Sequence, residues 1–332
     1  MMQISPETQL FIREHSSDDV RVLALQAKKY PDIDMPTAIT QIAGRKVAAE
    51  KIPSWWEIEK IWYPKHLSLE QCSSEITARY KARLLQGDSL TDLTGGFGID
   101  CSFLATGFKS ATYVERQEEL CEIAAHNFPV LNLNHINIKN EDGVTYLQVM
   151  SPVDCLFLDP ARRNEHGGKT VAISDCEPNV AELEELLLQK ANRVMIKLSP
   201  MLDLSLALKE LKQTQEVHIL SVNNECKELL ILLGQTSPAE ISIHCVNLFT
   251  KGTQKEQHFV FTREQEQCSE CTYTDSLETY LYEPNASLLK AGAFRSIAAA
   301  YPVRKLHPNS HLYTSDTFIE NFPGRIFRIV NQ

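Results

Sequence analysis

No stretch of the 332-residue chain is apolar for long enough to span a bilayer. The N-terminal "MMQISPETQLFIREH" lacks the basic end and apolar stretch of a secretory signal, so a cytoplasmic location is expected. A disulfide framework is missing as well. The nine cysteines are odd in number and scattered, mostly in apolar segments such as "VDCLFLDP", which is the usage of reduced thiols. One CxxC occurs, Cys268 and Cys271, but no second pair at zinc spacing accompanies it, and His244 and His258 are poorly placed to complete a site. No metal is expected. Internal repeats and low-complexity tracts are absent. Basic charge is scarce: the net charge is −10, and residues 88–236, with 22 acidic against 12 basic side chains, carry all of it. Such a balance makes a poor general nucleic-acid binder. The stretch 283–332 is different, with Lys290, Arg295, Arg304, Lys305, Arg325 and Arg328 against Glu283, Asp316 and Glu320. A local basic face of this kind can still meet phosphates.

What is present is ordinary in bulk, 43% hydrophobic and 23% charged, and long enough for two or three domains. Three patterns divide it. Residues 1–86 read as helical: "TAITQIAGRKVAAEKI" has apolar positions at helical spacing, and Pro31, Pro36, Pro53 and Pro64 punctuate the segment. Trp55, Trp56 and Trp62 in "PSWWEIEKIWYPKH" are expected to pack this unit onto its neighbour. From 87 to 236, short apolar runs alternate with amphipathic helices. "SLTDLT", "SATYVE", "HINIKN", "VDCLFLD" and "RVMIKLS" read as parallel strands separated by helices, one of them capped by Asn179. "EVHILSV" and "ELLILLG" are joined by only "NNECK", too short for a parallel crossover, so they form an antiparallel terminal hairpin. Residues 237–332 read as a small α+β module. It has an antiparallel pair in "EISIHCVNLF" and "EQHFVFTRE", a helix in "PNASLLKAGAFRSIAAAYP" capped by Asn285, and a closing strand "GRIFRIV".

In open α/β sheets, ligands sit beyond the carboxyl ends of the strands. Here those ends carry Asp92 with the loop Thr94, Gly95, Gly96, Phe97 and Gly98; then Glu115 followed by Arg116; then Glu141-Asp142; then Asp159-Pro160 of "LDPARR"; then "KLSP" from Lys197. Glycines let a ligand lie against the backbone. Glu115, some 20 residues on, has the spacing of a carboxylate that accepts from ribose hydroxyls. NAD sites share that device, but Gly96-x-Gly98-x-x-Cys101 lacks their third glycine. Asp142 reads equally as an adenine acceptor or as a solvated loop acid. The long polar loop "ARRNEHGGKTVAISDCEP" reads as a substrate loop with Gly167-Gly168 as its hinge.

The set "DLTGGFG", "VE", "NEDG" and "FLDPAR" resembles the class I S-adenosylmethionine-dependent methyltransferases. More narrowly, "LSLEQCSSEITARYKARLL", "LDPARR", "IKLSPMLD" and "YEPNASLLKAG" resemble a bacterial family of methyltransferases with a THUMP-like C-terminal domain, over nearly the whole chain. The resemblance implies an α/β fold: a class I (Rossmann-like) methyltransferase sheet with an N-terminal helical unit and a small C-terminal α+β domain. It implies S-adenosyl-L-methionine as cofactor. Asp92, Thr94 and the glycine loop would hold its methionine part, Glu115 and Arg116 its ribose, and Asp142 its adenine. Gln71, Ser73, Ser74 and Thr77 would offer hydrogen bonds to its carboxylate, the alternative being an ordinary amphipathic helix. Asp159 and the Pro160 carbonyl would accept the hydrogens of an acceptor amino group, as in amino methyltransferases. Those enzymes place a second proline and an aromatic where this chain has Ala161 and Arg162, so Arg162 or Arg163 would hold a phosphate or carboxylate instead. Carbon methylation of a pyrimidine needs a cysteine nucleophile, which "KLSPMLD" lacks. Structured RNA is the expected partner. Arg304 and Lys305 of "AYPVRKLHPNSHLY" either help hold it or lie in a solvated turn.

Overall fold

A computed structural model of the chain describes residues 4–162, 172–236 and 238–330. The chain divides into two compact units, Met1–Phe157 and Leu158–Gln332.

In the first unit, α1 (Pro6–Glu14), α2 (Val20–Leu25) and α3 (Met35–Lys51) start on the side chains of Ser5, Asp19 and Asp34, each accepting from a backbone N–H of the first turn. They enclose a core of Phe11, Leu23, Met35, Ala38 and Ile42. Three helices follow, α4 (Pro53–Trp56), α5 (His66–Gln71) and α6 (Glu75–Ala82). Trp55 is buried and meets Phe97 edge-on at 5.2 Å, and Trp62 stacks on His126 at 3.7 Å. Those two tryptophans pack the helical segment onto the strand-rich part, as expected; Trp56 is 41% exposed.

Four parallel strands come next: β1 (Ser89–Asp92), β2 (Ser110–Glu115), β3 (Ile136–Asn140) and β4 (Val153–Leu158), in the order β4-β1-β2-β3. The crossovers are α7 (Ile99–Ala105), α8 (Glu118–Val130) and α9 (Gly143–Val149). Register places Asp92 opposite Tyr113 on β2 and Phe157 on β4, so the β1 end opens beside both neighbours.

The second unit opens with a two-stranded ribbon, β5 (Ala161–Arg162) with β6 (Cys176–Glu177), which closes the base of the long polar loop. Then come α10 (Val180–Lys190), capped by Asn179, β7 (Ala191–Leu198), α11 (Leu204–Glu210), β8 (Thr214–Val222) and β9 (Glu225–Gly234). The last two are the expected hairpin. Its turn, Asn223-Asn224, has φ of 49° and 67°, the left-handed values a tight hairpin turn requires and asparagine tolerates. β9 lies between β7 and β8, antiparallel to both.

β10 (Ser242–Leu248) and β11 (Glu256–Phe261) pair antiparallel, as their alternation predicts, but β10 also runs parallel to β8 and so extends this sheet. After α12 (Arg263–Cys268), a separate small sheet takes the remainder: β12 (Tyr280–Pro284), β13 (Arg304–Lys305), β14 (Tyr313–Ser315) and β15 (Gly324–Arg328), in the order β13-β14-β12-β15. The helix expected from Asn285 is two, α13 (Ala286–Ala291) and α14 (Phe294–Ala300), because Gly292 stops the first at φ 75°.

Among the described residues no helix is long and apolar enough to cross a membrane. No disulfide joins the nine cysteines; Cys101, Cys121, Cys155, Cys176 and Cys245 are buried and Cys268 is exposed.

Candidate active site

The glycine loop is held from three sides. Asp92, 1% exposed at the end of β1, accepts through Oδ1 from the Thr94 N–H at 2.9 Å. The Gly95 N–H donates to the Val114 carbonyl at 2.8 Å, pinning the loop to β2. Glu115, buried at the end of β2, accepts through Oε2 from the Gly96 N–H at 2.9 Å and through Oε1 from the Gln117 N–H at 2.8 Å. The Tyr113 hydroxyl donates to the Gly96 carbonyl. Burial and the neighbouring Glu115 charge hold that phenol well above its ordinary pKa, so it remains a donor.

Each glycine has its own reason. A Cβ on Gly95 would lie 2.2 Å from the Tyr113 ring. Gly96 and Gly98 take φ of 54° and 85°, and Gly98 is the residue from which α7 starts. A Cβ at Gly96 would meet nothing closer than 3.8 Å, so the backbone there stands open. Phe97 turns its ring inward against Trp55 and contributes only backbone to the loop surface. A carboxylate has about four acceptor positions, and the two backbone bonds to Glu115 use half of them. A diol beside Gly96 would find acceptors at Glu115, so this cradle fits the ribose of a nucleoside cofactor.

The other expected cofactor contacts are more varied. Asp142 is the cap of α9: its Oδ1 accepts from Val144 N–H, Thr145 N–H and the Thr145 hydroxyl at 3.0 to 3.2 Å. Arg116 is exposed. Ser73 is buried, donating to Asp100 Oδ2 at 2.7 Å and accepting from Lys81 Nζ at 2.8 Å. Lys81, fully buried on α6, pairs with Asp100 Oδ1 at 2.9 Å, which ties α6 to the first turn of α7 just after the glycine loop. Ser74 and Thr77 bond each other at 3.2 Å, and Gln71 is an exposed residue at the end of α5. Lys81 and Asp100 were not singled out from the sequence. Asp100 follows the glycine cluster directly, a usable signal; a lysine on the inward face of α6 gives none.

In the second unit, Asp159 and Lys197 meet. They follow β4 and close β7 respectively, and their charges lie 2.6 Å apart with the lysine side chain only 9% exposed. Two separately identified strand ends thus form one ion pair. Pro160 is buried. The backbone of Arg162 lies in β5 opposite Cys176, and Arg163, Gly167 and Gly168 fall outside the described residues. Arg304 pairs with Glu278. Lys305 is 4% exposed, donates to the Pro308 carbonyl at 2.8 Å and lies 5.4 Å from the Phe294 ring centre.

The first unit has parallel strands carrying an acidic strand end, a glycine loop and a second strand-end carboxylate, and the second has β9 antiparallel between β7 and β8; these are the elements of the class I methyltransferase fold. The chain is 34% identical to the crystal structure described as a "putative methyltransferase from Porphyromonas gingivalis W83", covering all of this chain and 84% of that one with a TM-score of 0.85, and it belongs to that protein's family. Residues 280–323 match a ferredoxin-like domain model. Partial likenesses include an rRNA methylase from Streptococcus thermophilus (15% identity, 48% of this chain, 93% of that one, TM-score 0.35). A structure described as "a putative methyltransferase from streptococcus mutans in complex with SAH" is similar at 14% identity (48% of this chain, 96% of that one, TM-score 0.35). No curated protein matches the chain.

Proposed function

We propose that the chain is an S-adenosylmethionine-dependent methyltransferase that acts on an amino or ring nitrogen of a base in structured RNA. The observation that carries the cofactor reading is the Glu115 carboxylate clamped to the Gly96 N–H at the mouth of the parallel strands. Asp92, Thr94 and the backbone of residues 95–98 hold the methionine part, Glu115 the ribose and Asp142 the adenine side. The bound cofactor supplies an electrophilic methyl group. Asp159 and the Pro160 carbonyl orient the acceptor by taking its N–H hydrogens, and Lys197 keeps the Asp159 carboxylate in place. Orientation of that kind can supply several kcal/mol of the barrier reduction. The ferredoxin-like segment, in a THUMP-like role within residues 237–332, presents the RNA, with residues 1–86 as a helical N-terminal domain and 87–236 as the cofactor domain.

A small-molecule or protein acceptor is the second reading. The net charge of −10 and the engagement of Lys305 and Arg304 within their own unit favour it.

Calorimetric titration with S-adenosylhomocysteine tests the cofactor. Glu115→Ala should weaken binding by about 1.5–3 kcal/mol, the worth of a charge-assisted hydrogen bond. Binding of NAD in place of S-adenosylhomocysteine would end the proposal. Comparing modified nucleosides of total RNA with and without the gene tests the substrate: one missing methylated nucleoside identifies it, and an unchanged profile selects the second reading.

A further inference from the structure

The second unit gathers imidazoles on one sheet face, away in sequence from every strand end named above. Glu216 and His218 are two apart on β8 and therefore share a face; His244 on β10 is the direct register partner of His218. The His218 and His244 rings stack at 4.2 Å. His258, on β11, reaches His244 Nδ1 with its Nε2 at 3.1 Å. Glu216 Oε2 meets His218 Nε2 at 3.2 Å, while its Oε1 is held by Arg193 at 2.9 Å.

We infer that Glu216, His218 and His244 form a binding site for a divalent first-row transition ion of the zinc type, which staples β8 to β10. Their ligand atoms all lie within 4.8 Å of one another. Ligands bonded at about 2.0–2.1 Å around a tetrahedral ion are roughly 3.4 Å apart, so one pair already has this spacing and side-chain rotation of about an ångström brings in the rest. Two imidazoles and one carboxylate suit zinc, iron or nickel rather than magnesium or calcium. Arg193 fixes the carboxylate and His258 steadies the His244 ring, the outer support that ligands of real sites receive. His218 is 2% exposed, whereas Glu216 and His244 are half-buried, which leaves an entry path.

Ligands from neighbouring strands leave no fixed spacing in the sequence, which is why His244 looked badly placed beside the CxxC. The test uses the full chain without an affinity tag, stripped with chelator and titrated with zinc chloride by calorimetry, with cobalt(II) absorbance as a second readout. One equivalent should bind, and zinc should raise the melting temperature. Glu216→Gln and His244→Gln, each with unchanged circular dichroism, should weaken binding by about tenfold or more and remove the thermal shift. The double variant Cys268→Ser/Cys271→Ser should bind as the parent does. Absence of binding, undiminished binding in both site variants, or loss of binding in the cysteine variant would each overturn the assignment. The last would place the ion on the CxxC.

Discussion

The Asp159–Lys197 pair sets what each residue can do. In the proposed mechanism, a lysine 2.6 Å from the Asp159 carboxylate stabilises its charge and weakens it as a base, which favours orientation of the acceptor over proton abstraction. Lys197→Met should leave S-adenosylhomocysteine affinity within about threefold, well under the 1.4 kcal/mol of a tenfold change, and lower single-turnover methyl transfer by about tenfold or more. Asp159→Ala should cost about 100-fold in the same assay, while Asp159→Asn, which keeps an acceptor oxygen, should retain part of the rate. Normal turnover in Asp159→Ala would remove this residue from the chemistry. A different balance governs Lys81 and Asp100. Losing one partner leaves a charge buried on α6 or α7, a cost of about 3–5 kcal/mol. Lys81→Met should therefore lower the denaturation midpoint sharply, and Lys81→Met/Asp100→Leu should recover much of the loss. The glycines and Glu115 were readable in the sequence because their chemistry follows from residue type and spacing. Lys81, with apolar neighbours and a partner 19 positions away, was not.

At the level of elements, strands announced themselves and their partners did not. "EISIHCVNLF" alternates as a strand must, but alternation is silent on which neighbour a strand takes, and β10 chose β8 as well as β11. The β8–β9 hairpin was legible for a local reason: two asparagines between long apolar runs. Asn223→Gly and Asn224→Gly keep the turn backbone unstrained but lose the side-chain bonds to Thr250 and to the Ala286 N–H, and should cost about 1 kcal/mol each. A β-branched residue such as valine at 224 should cost about 1–2 kcal/mol more, because the left-handed backbone brings its Cβ against the carbonyl. A denaturant melt of the three variants checks the order. Helix starts were equally local: Asn179 and Asn285 cap α10 and α13 as their side chains suggested. The break at Gly292 was missed because glycine inside a helical pattern is tolerated as often as it ends one.

Taken as a whole molecule, the chain carries its structural dependence across the position near Pro238 where the sequence pattern changes. β8 has β10 along one edge, and α13 packs on β8, β9 and β10. A fragment ending at Gly234 would bare a strand whose Val217, Ile219 and Leu220 are fully buried, with its ladder of N–H and C=O groups unpaired. Such a fragment should aggregate on expression, whereas the full chain stays monodisperse; size-exclusion chromatography of both settles it. If the fragment is well behaved and binds S-adenosylhomocysteine, the two C-terminal strands are dispensable to the sheet. Fold class was legible at this scale since alternating strands and helices admit few arrangements. The His218–His244 cluster was not, since it exists only once three strands are side by side.

The distribution of thiols gives the protein a built-in stopwatch. Cys268 stands in solvent while Cys101, Cys121, Cys155, Cys176 and Cys245 are enclosed, and burial pushes the Cys121 thiol up to about 11. An alkylating dye added to the native protein should mark exposed Cys268 ahead of the enclosed thiols. The enclosed five should be marked only as fast as the structure around each one opens, with Cys101 and Cys155 timing the first unit and Cys176 and Cys245 the second. Mass spectrometry of the labelled peptides would then rank local opening across both units in one tube. A ligand that closes either unit would be seen as a delay at particular cysteines.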